Sequence, residues 1–277
     1  MKNQRLRKQA SGLIGVIATF LIFIVPLLFI SSQASKTSRE AASLSFSWPE
    51  EFAFWENLVE VLTFRDFTLM RAFWNSTVLT VSSVVVVVVL GSLIAYVIQR
   101  RPSRFTRVLN GFVLAGLIVP PAVVPTVFVM QQLGLFKTLH GLVLIEVAFN
   151  ISLVILLFRG FIATIPRDLD EAAIIDGAGP LRLFFQIIFP LLRGVTITAV
   201  ILVSLAVFND FQNPLYFLPG AENVTVQLTL FNFQSQFVTK FNLLFMNILL
   251  ITIPMLVLFI FFNKKIIAGM TAGAIKG

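Results

Sequence analysis

Long stretches without a charged residue constrain this chain more than any other feature of its sequence. Of its 277 residues, 57% are hydrophobic and only 12% are charged, and the charged residues cluster between apolar runs. A soluble domain of this length has too little interior to hide so much apolar surface. An α-helix needs about 20 apolar residues to cross roughly 30 Å of hydrocarbon. The sequence therefore predicts an all-α integral membrane protein.

Six apolar runs predict six transmembrane helices. The predicted helices lie near 11–31, 74–98, 110–132, 141–160, 194–213 and 241–262. Pro120, Pro121 and Pro125 predict a bend in the third helix, because proline removes a backbone donor and clashes with the preceding turn. We expect 1–277 to form a single transmembrane domain with its core at 70–265.

Lysine and arginine residues fall unevenly on the two sides of this topology. Fifteen of the 21 basic residues lie on the side that holds both termini and the loop 161–193. Because cytoplasmic loops carry an excess of Lys and Arg, both termini are predicted to be cytoplasmic. The net charge of +8 is then an insertion signal, which argues against nucleic acid as a partner.

The first helix has two interpretations. Ser32-Gln33-Ala34 fits the small-x-small pattern of a signal-peptide cleavage site. The apolar core of this helix is longer than the roughly 7–15 residues usual in a signal peptide. We therefore expect a retained helix, although cleavage would leave the remaining topology unchanged.

Two outer segments are predicted, at 32–73 and 214–240. The first carries the aromatic residues Trp48 and Phe52, and Pro49 breaks any continuous helix there. It is either an interfacial cap or a contact for an outer partner.

The loop between the fourth and fifth helices contains a compact polar-apolar stretch from Asp168 to Pro190. Asp168 is placed to cap a helix, with Glu171 completing a capping box. Gly177 suits the left-handed position after a helix, and Pro180 suits the first turn of a second helix. A two-helix element in a chain built for lipid indicates a soluble docking partner. The alternative is an amphipathic element that lies on the membrane surface.

The spacing within this stretch resembles the docking loop of bacterial ABC-importer permeases. The matching loop residues are Glu171, Ala172, Ala173, Gly177, Ile187 and Pro190. Gly134-Leu135, Thr138, Gly141-Leu142, Asn209–Leu215 and the tail 268–277 are similar to further stretches of carbohydrate permeases. The chain thus resembles the ABC importer permeases of the carbohydrate-uptake family, and within it the second permease subunit of maltose-type importers.

The resemblance implies a cytoplasmic coupling helix between helices 4 and 5 that seats in a separate ATPase subunit. The residues assigned to this contact are Asp168, Glu171, Ala172, Ala173, Asp176 and Gly177. Further implied partners are a homologous second permease subunit, an ABC ATPase dimer, an extracytoplasmic solute-binding protein and a sugar, at the bacterial plasma membrane. The sequence has no GxxxxGK[ST] phosphate loop. We therefore expect no catalytic residue, metal or cofactor in this chain, with ATP and Mg²⁺ bound by the ATPase.

Polar residues at membrane depth are candidates for a substrate path. They are Glu146, Asn150, Asn209, Asp210, Asn213 and Tyr216. Amides, a carboxylate and an aromatic ring suit the hydroxyls and the apolar face of a sugar. The alternatives are a Glu146 side chain that reaches the outer membrane surface, and a capped helix end in solvent for the residues after 208.

The expected function is import of a carbohydrate, in particular an oligosaccharide. A permease for a polyol or a glycerol phosphate is the nearest alternative. A secondary transporter would need more intramembrane charge for ion coupling than Glu146 and Asp210 supply. A membrane enzyme would need a nucleophile or a metal site, and no such motif is present in the sequence.

Overall fold

The computed structural model describes residues 12, 15–220, 222–234 and 239–274. Every regular element in these ranges is helical, which confirms the all-α prediction. The described residues form two compact units. One lies within Met1–Met70 and Leu228–Pro254, and the other within Arg71–Gln227 and Met255–Gly277.

The helices are numbered here in chain order. They are α1 (Gly15–Ala34), α2 (Ser38–Ala41), α3 (Phe54–Arg100), α4 (Arg104–Ile118), α5 (Val123–Gln132), α6 (Leu139–Ile162), α7 (Asp168–Ile175), α8 (Pro180–Leu191), α9 (Arg193–Phe208), α10 (Gln212–Phe217) and α11 (Phe241–Ala274).

Several of these helices have the length and composition of membrane spans. Within the described ranges, α1, α3 and α6 are long and apolar enough to cross a bilayer. The pair α8 and α9, bent by 80°, makes a fourth span if it is counted as one. The segments α5 and Phe241–Val257 are shorter apolar helices. The six predicted spans are thus not six continuous helices.

The third predicted span is broken at its prolines. Helix α4 ends at Ile118, and Val119 is extended (φ −74°, ψ 121°). A residue before proline avoids the helical region, and Pro120 cannot donate a helical hydrogen bond. The chain becomes helical again at Val123, and Pro125 falls in the first turn of α5, where a proline is tolerated. The expected bend is therefore a complete interruption.

The second predicted helix, near 74–98, starts earlier in the structure than the sequence predicted. Helix α3 already begins at Phe54 and is interrupted at 64–67, where three successive residues have positive φ. The amide of Asn57 lies on the buried face of α3 and donates to the carbonyls of Ala34 (2.9 Å) and Lys36 (2.8 Å). A polar residue on the inner face hides the helical pattern of apolar residues.

Helix α6 is the central helix of the unit within Arg71–Gln227 and Met255–Gly277. It packs against α4, α9 and α10, and Leu142, Val154 and Phe158 are fully buried. Its first turn is capped by Thr138, whose hydroxyl accepts the N–H of Gly141 at 3.1 Å. A Cβ atom on Gly141 would lie 2.2 Å from the carbonyl oxygen of Leu135. The glycine is therefore required by the close approach of the preceding turn.

The end of α7 matches its prediction and the start does not. Gly177 has φ +80°. Its N–H donates to the carbonyl of Ile174 (3.0 Å), and the N–H of Ala178 donates to the carbonyl of Ala173 (2.9 Å). Together these two hydrogen bonds form a Schellman motif. At the start, Asp168 is already inside the helix and no side chain caps the turn. The predicted capping box is wrong, because the helix begins one residue earlier than the box requires.

The two glycines after α7 provide a matched test of this ending. We expect Gly177→Ala to lower the free energy of unfolding by about 1–2 kcal/mol, because an alanine in the left-handed region is strained. Gly179→Ala is the control, since Gly179 has φ −69° and an added Cβ meets nothing within 4 Å at either glycine. Denaturant titration in detergent measures both, and equal effects would contradict the motif.

Candidate coupling and substrate sites

Asp170 joins the loop helix α7 to the end of α3. One oxygen of its carboxylate accepts a hydrogen bond from the Tyr96 hydroxyl (2.7 Å), and the other lies 3.1 Å from Nη2 of Arg100. The same guanidinium donates to the carbonyl of Ile165 at 2.9 Å. The Arg100 and Asp170 side chains are 9% and 13% exposed. Opposite charges shielded from water attract strongly, so this contact fixes α7 on α3.

Sequence reasoning missed Asp170. Acidic residues crowd the first turn of α7, where the helix dipole favours them, and Asp170 looked like one of several solvated acids. A signal was present in α3, because Tyr96 and Arg100 are four residues apart and share one helix face. A tyrosine and an arginine on one face at the end of a predicted span indicate that an acidic side chain packs against them.

The predicted docking residues are divided between two faces of α7. Ala173 is only 6% exposed and belongs to the hydrophobic core. Ala173 is therefore not on the exposed side, although the sequence assigned it to the docking contact, because it follows Asp170 by three residues and shares its inward face. The other assigned residues are exposed: Asp168, Glu171, Ala172, Asp176 and Gly177.

Apolar side chains accompany these acids on the exposed face, and the sequence prediction did not include them. Ile174 is 60% exposed, Ile175 84% and Leu181, in α8, 71%. Exposed apolar residues that cluster next to polar ones are typical of protein interfaces. The loop thus presents an acidic and apolar surface, and the opposite face of α7 is attached to α3 through Asp170.

The predicted substrate-path residues come together in part. Asn213 donates from Nδ2 to Oε1 of Glu146 at 3.2 Å, which links α10 to α6. Asn150 donates from Nδ2 to the backbone carbonyl of Glu146 at 2.8 Å. Glu146 is only 2% exposed. Its side chain neither reaches the surface nor lines an open cavity in this chain, since α10 packs over it.

Asp210 caps the short helix α10. One carboxylate oxygen accepts the backbone N–H groups of Gln212 (2.8 Å) and Asn213 (3.3 Å). The carboxylate therefore satisfies the first two backbone N–H groups of α10. The Asp210 carboxyl also lies beside that of Glu146. Asn213 and the carboxyl groups of Asp210 and Glu146 thus lie close together at the start of α10.

Asn209 and Tyr216 lie apart from this cluster. Asn209 ends α9 and accepts a hydrogen bond from Gln227 at 3.3 Å. Tyr216 lines a cavity of about 400 Å³ between α5 and α10, together with Gln131, Gln212 and Phe128. An aromatic ring and two amides in an otherwise apolar cavity are suited to a ligand that has both hydroxyl groups and apolar faces.

A family profile and individual relatives both match transport permeases. The sequence profile of the family described as "Binding-protein-dependent transport system inner membrane component" matches residues 87–271. The melibiose/raffinose/stachyose import permease protein MelC of Bacillus subtilis is 33% identical over 213 residues, which cover 76% of this chain and 77% of MelC. The diacetylchitobiose uptake system permease protein NgcG of Streptomyces coelicolor is 30% identical over 260 residues, 92% of this chain and 85% of NgcG.

A solved structure has the same fold. It is a chain of a bacterial ABC transporter involved in the import of the acidic polysaccharide alginate. The TM-score is 0.81, with 95% of this chain and 97% of that chain covered at 19% identity. The likeness extends over both compact units of the described chain.

The Asp170 contact predicts a specific loss of stability. We expect Asp170→Asn to lower the free energy of unfolding by about 3 kcal/mol, because removing one partner leaves the Arg100 charge buried and unpaired. Tyr96→Phe removes one hydrogen bond to a charged group and should cost about 1.5 kcal/mol. Denaturant titration in detergent measures both changes.

Asp176→Asn is the matched control, since Asp176 is exposed in the same loop. Its unfolding free energy should stay within about 0.5 kcal/mol of the parent protein. If Asp170→Asn were equally mild, the proposed fixing of α7 by a buried ion pair would be contradicted.

Proposed function

Because the chain belongs to the family of inner membrane components of binding-protein-dependent transport systems, we propose that it is the permease subunit of an ATP-driven importer for a carbohydrate. One observation carries the substrate class. The relatives at 30% identity or more include permeases named for oligosaccharides, over three quarters of this chain or more. We further propose an oligosaccharide as the cargo, taken into the cytoplasm by alternating access between two states.

The proposed topology has six spans in the bacterial plasma membrane. The spans are α1, α3, the broken pair α4 and α5, α6, α9 and α11. Non-helical backbone at membrane depth is tolerated where it is buried in protein, so the break at Pro120 calls for a protein neighbour. Both termini and α7 lie on the cytoplasmic side in this topology, as the distribution of Lys and Arg favours.

Helix α7 is the proposed coupling helix. Its exposed acidic and apolar face, with Glu171 and Ile175, seats in a groove of the ATPase subunit, and Glu171 faces a basic residue there. Closure of an ATPase dimer would displace α7. Because Asp170 holds α7 on Tyr96 and Arg100, the displacement passes directly to α3. Because α7 is short and its ion pair with Arg100 is buried, it moves together with the end of α3.

The remaining partners follow from the same assignment. A second, homologous permease subunit completes the membrane pathway. The ATPase dimer binds ATP and Mg²⁺ in this proposal, and we expect no catalytic residue or cofactor in this chain. A solute-binding protein delivers the sugar from outside and meets the outer segments 32–73 and 214–240.

The substrate path is proposed to run past the end of α10. Tyr216, Gln131 and Gln212 line the cavity there, while Glu146 and Asn213 support α10 from inside. The side chains that line the cavity include no Lys or Arg. A glycerol phosphate would require such a group, because phosphate is recognised by charge-assisted hydrogen bonds. This observation favours a neutral sugar over the phosphate-bearing alternative.

The solute-binding protein encoded next to this chain allows the substrate class to be tested. Titration with a panel of di- to pentasaccharides, polyols, glycerol phosphates, amino acids and peptides should give binding for oligosaccharides alone. The measurement is calorimetric. Binding of peptides or inorganic ions without any sugar would contradict the carbohydrate assignment.

Glu171→Ala tests the coupling role in the assembled transporter. We expect at least a fivefold fall in substrate-stimulated ATPase activity, while the thermal stability of the subunit is unchanged because Glu171 is exposed. Glu171→Asp keeps the charge and should retain much of the stimulation. Unchanged stimulation and uptake in Glu171→Ala would remove this residue from the docking contact.

A further inference from the structure

A basic pocket lies where α4 begins, away from both sites described above. Its volume is about 310 Å³, and its lining brings Arg104 and Arg107 of α4 together with Arg159 of α6. Ser103 and Asn110 add a hydroxyl and an amide to the same lining. Three guanidinium groups around one opening are a concentrated positive charge for a chain in which charged residues are few.

The protein does not neutralise this charge among its described residues. Within those ranges, no carboxylate oxygen lies within 4.0 Å of Arg104, Arg107 or Arg159. Arg159 donates from Nη1 to Oδ1 of Asn110, and its buried Nε has no hydrogen-bond partner. The positive end of the α4 dipole adds to the field at the same place. The described side chains therefore leave the pocket with a net positive charge.

The surface beside the pocket indicates what kind of anion the pocket binds. Phe105, Val108 and Phe112 lie on one side of α4 and are 68%, 59% and 71% exposed. They form an apolar strip that starts in the basic first turn, next to Arg104, and runs about 10 Å along the helix. A free phosphate would use the pocket and leave the strip without a role. A phospholipid uses both, with its phosphate among the arginines and an acyl chain along the strip.

We propose that this pocket binds the phosphate group of an anionic phospholipid of the surrounding membrane. Arginine suits this task because its planar guanidinium donates two parallel hydrogen bonds to phosphate oxygens. Basic pockets at the ends of transmembrane helices are a known kind of site for lipid headgroups. The inference rests on the membrane placement of α4 and α6 proposed above. It does not depend on the transported substrate.

Lipid in this position links two parts of the fold. The pocket is lined by Ile98 of α3, by the start of α4 and by Arg159 of α6. Ile98 lies two residues before Arg100, which holds the coupling helix. A bound phosphate thus draws α4 and α6 together next to the base of α7, and it supplies the negative charge that the described side chains do not.

Native mass spectrometry of the full-length protein, purified in mild detergent with its associated subunits, tests the proposal. Phosphatidylglycerol and phosphatidylethanolamine are titrated onto the parent protein, Arg104→Gln, Arg107→Gln and Arg101→Gln. Arg101 is the matched control, an exposed arginine in the connection between α3 and α4 that does not line the pocket. Arg159 is left intact, because its hydrogen bond to Asn110 joins α6 to α4.

We expect the parent protein and Arg101→Gln to retain phosphatidylglycerol in preference to phosphatidylethanolamine. Each pocket variant should weaken phosphatidylglycerol binding about fivefold, the effect of one basic residue at a membrane surface. Millimolar inorganic phosphate should not displace the lipid, because it gains nothing from the apolar strip.

Three results would each overturn the proposal. Equal weakening in Arg101→Gln would reduce the effect to unspecific attraction by the basic turn. Displacement by inorganic phosphate would make the pocket a site for free phosphate. Loss of the ATPase subunit from the pocket variants, with lipid binding intact, would make this surface a protein interface instead. None of these results bears on sugar import, which is measured separately through the solute-binding protein.

Discussion

The buried contact of Asp170 with Arg100 and Tyr96 is the constraint on which the loop between α6 and α9 depends. Helix α7 has only eight residues and is too short to be stable in water by itself. Asp170 and Ala173 turn one face of it toward α3 and the core, and the opposite face remains free. A short helix with one fixed and one free face is suited to pass a displacement from a bound subunit into the membrane helices.

Helix α6 runs from the polar cluster of Glu146 and Asn213 toward the loop in which Asp170 contacts Arg100. Near its first turns Glu146 meets Asn213, and near its end Arg159 meets Asn110. Two polar contacts at opposite ends thus tie α10 and α4 to the same apolar helix. In an alternating-access transporter, such a helix would move as one piece with what is attached to it. The proposed lipid phosphate would add a third attachment at the end where α7 is held.

Local rules predicted the parts of the structure that depend on neighbours in sequence. The disturbance of the third span at its prolines, predicted as a bend, the left-handed turn at Gly177 and the membrane character follow from residue chemistry over short distances. Asp170 could not be assigned in this way, because its partner Tyr96 lies 74 residues away. The inward direction of Ala173 and the helix around Asn57 likewise depend on tertiary packing. Among the substrate-path residues, sequence identified Glu146 and Asn213 as polar but not as direct partners.

The central claim, that the free face of α7 contacts the ATPase subunit, is tested most directly by photo-crosslinking. A benzophenone amino acid in place of Ile175, which is 84% exposed, probes that face, and the same replacement of Ile118, 80% exposed at the end of α4, is the control. In the assembled transporter, Ile175 should give an adduct with the ATPase subunit whose yield changes when ATP is added, and Ile118 should give none. An active transporter in which position 175 forms no adduct with the ATPase subunit would contradict the account.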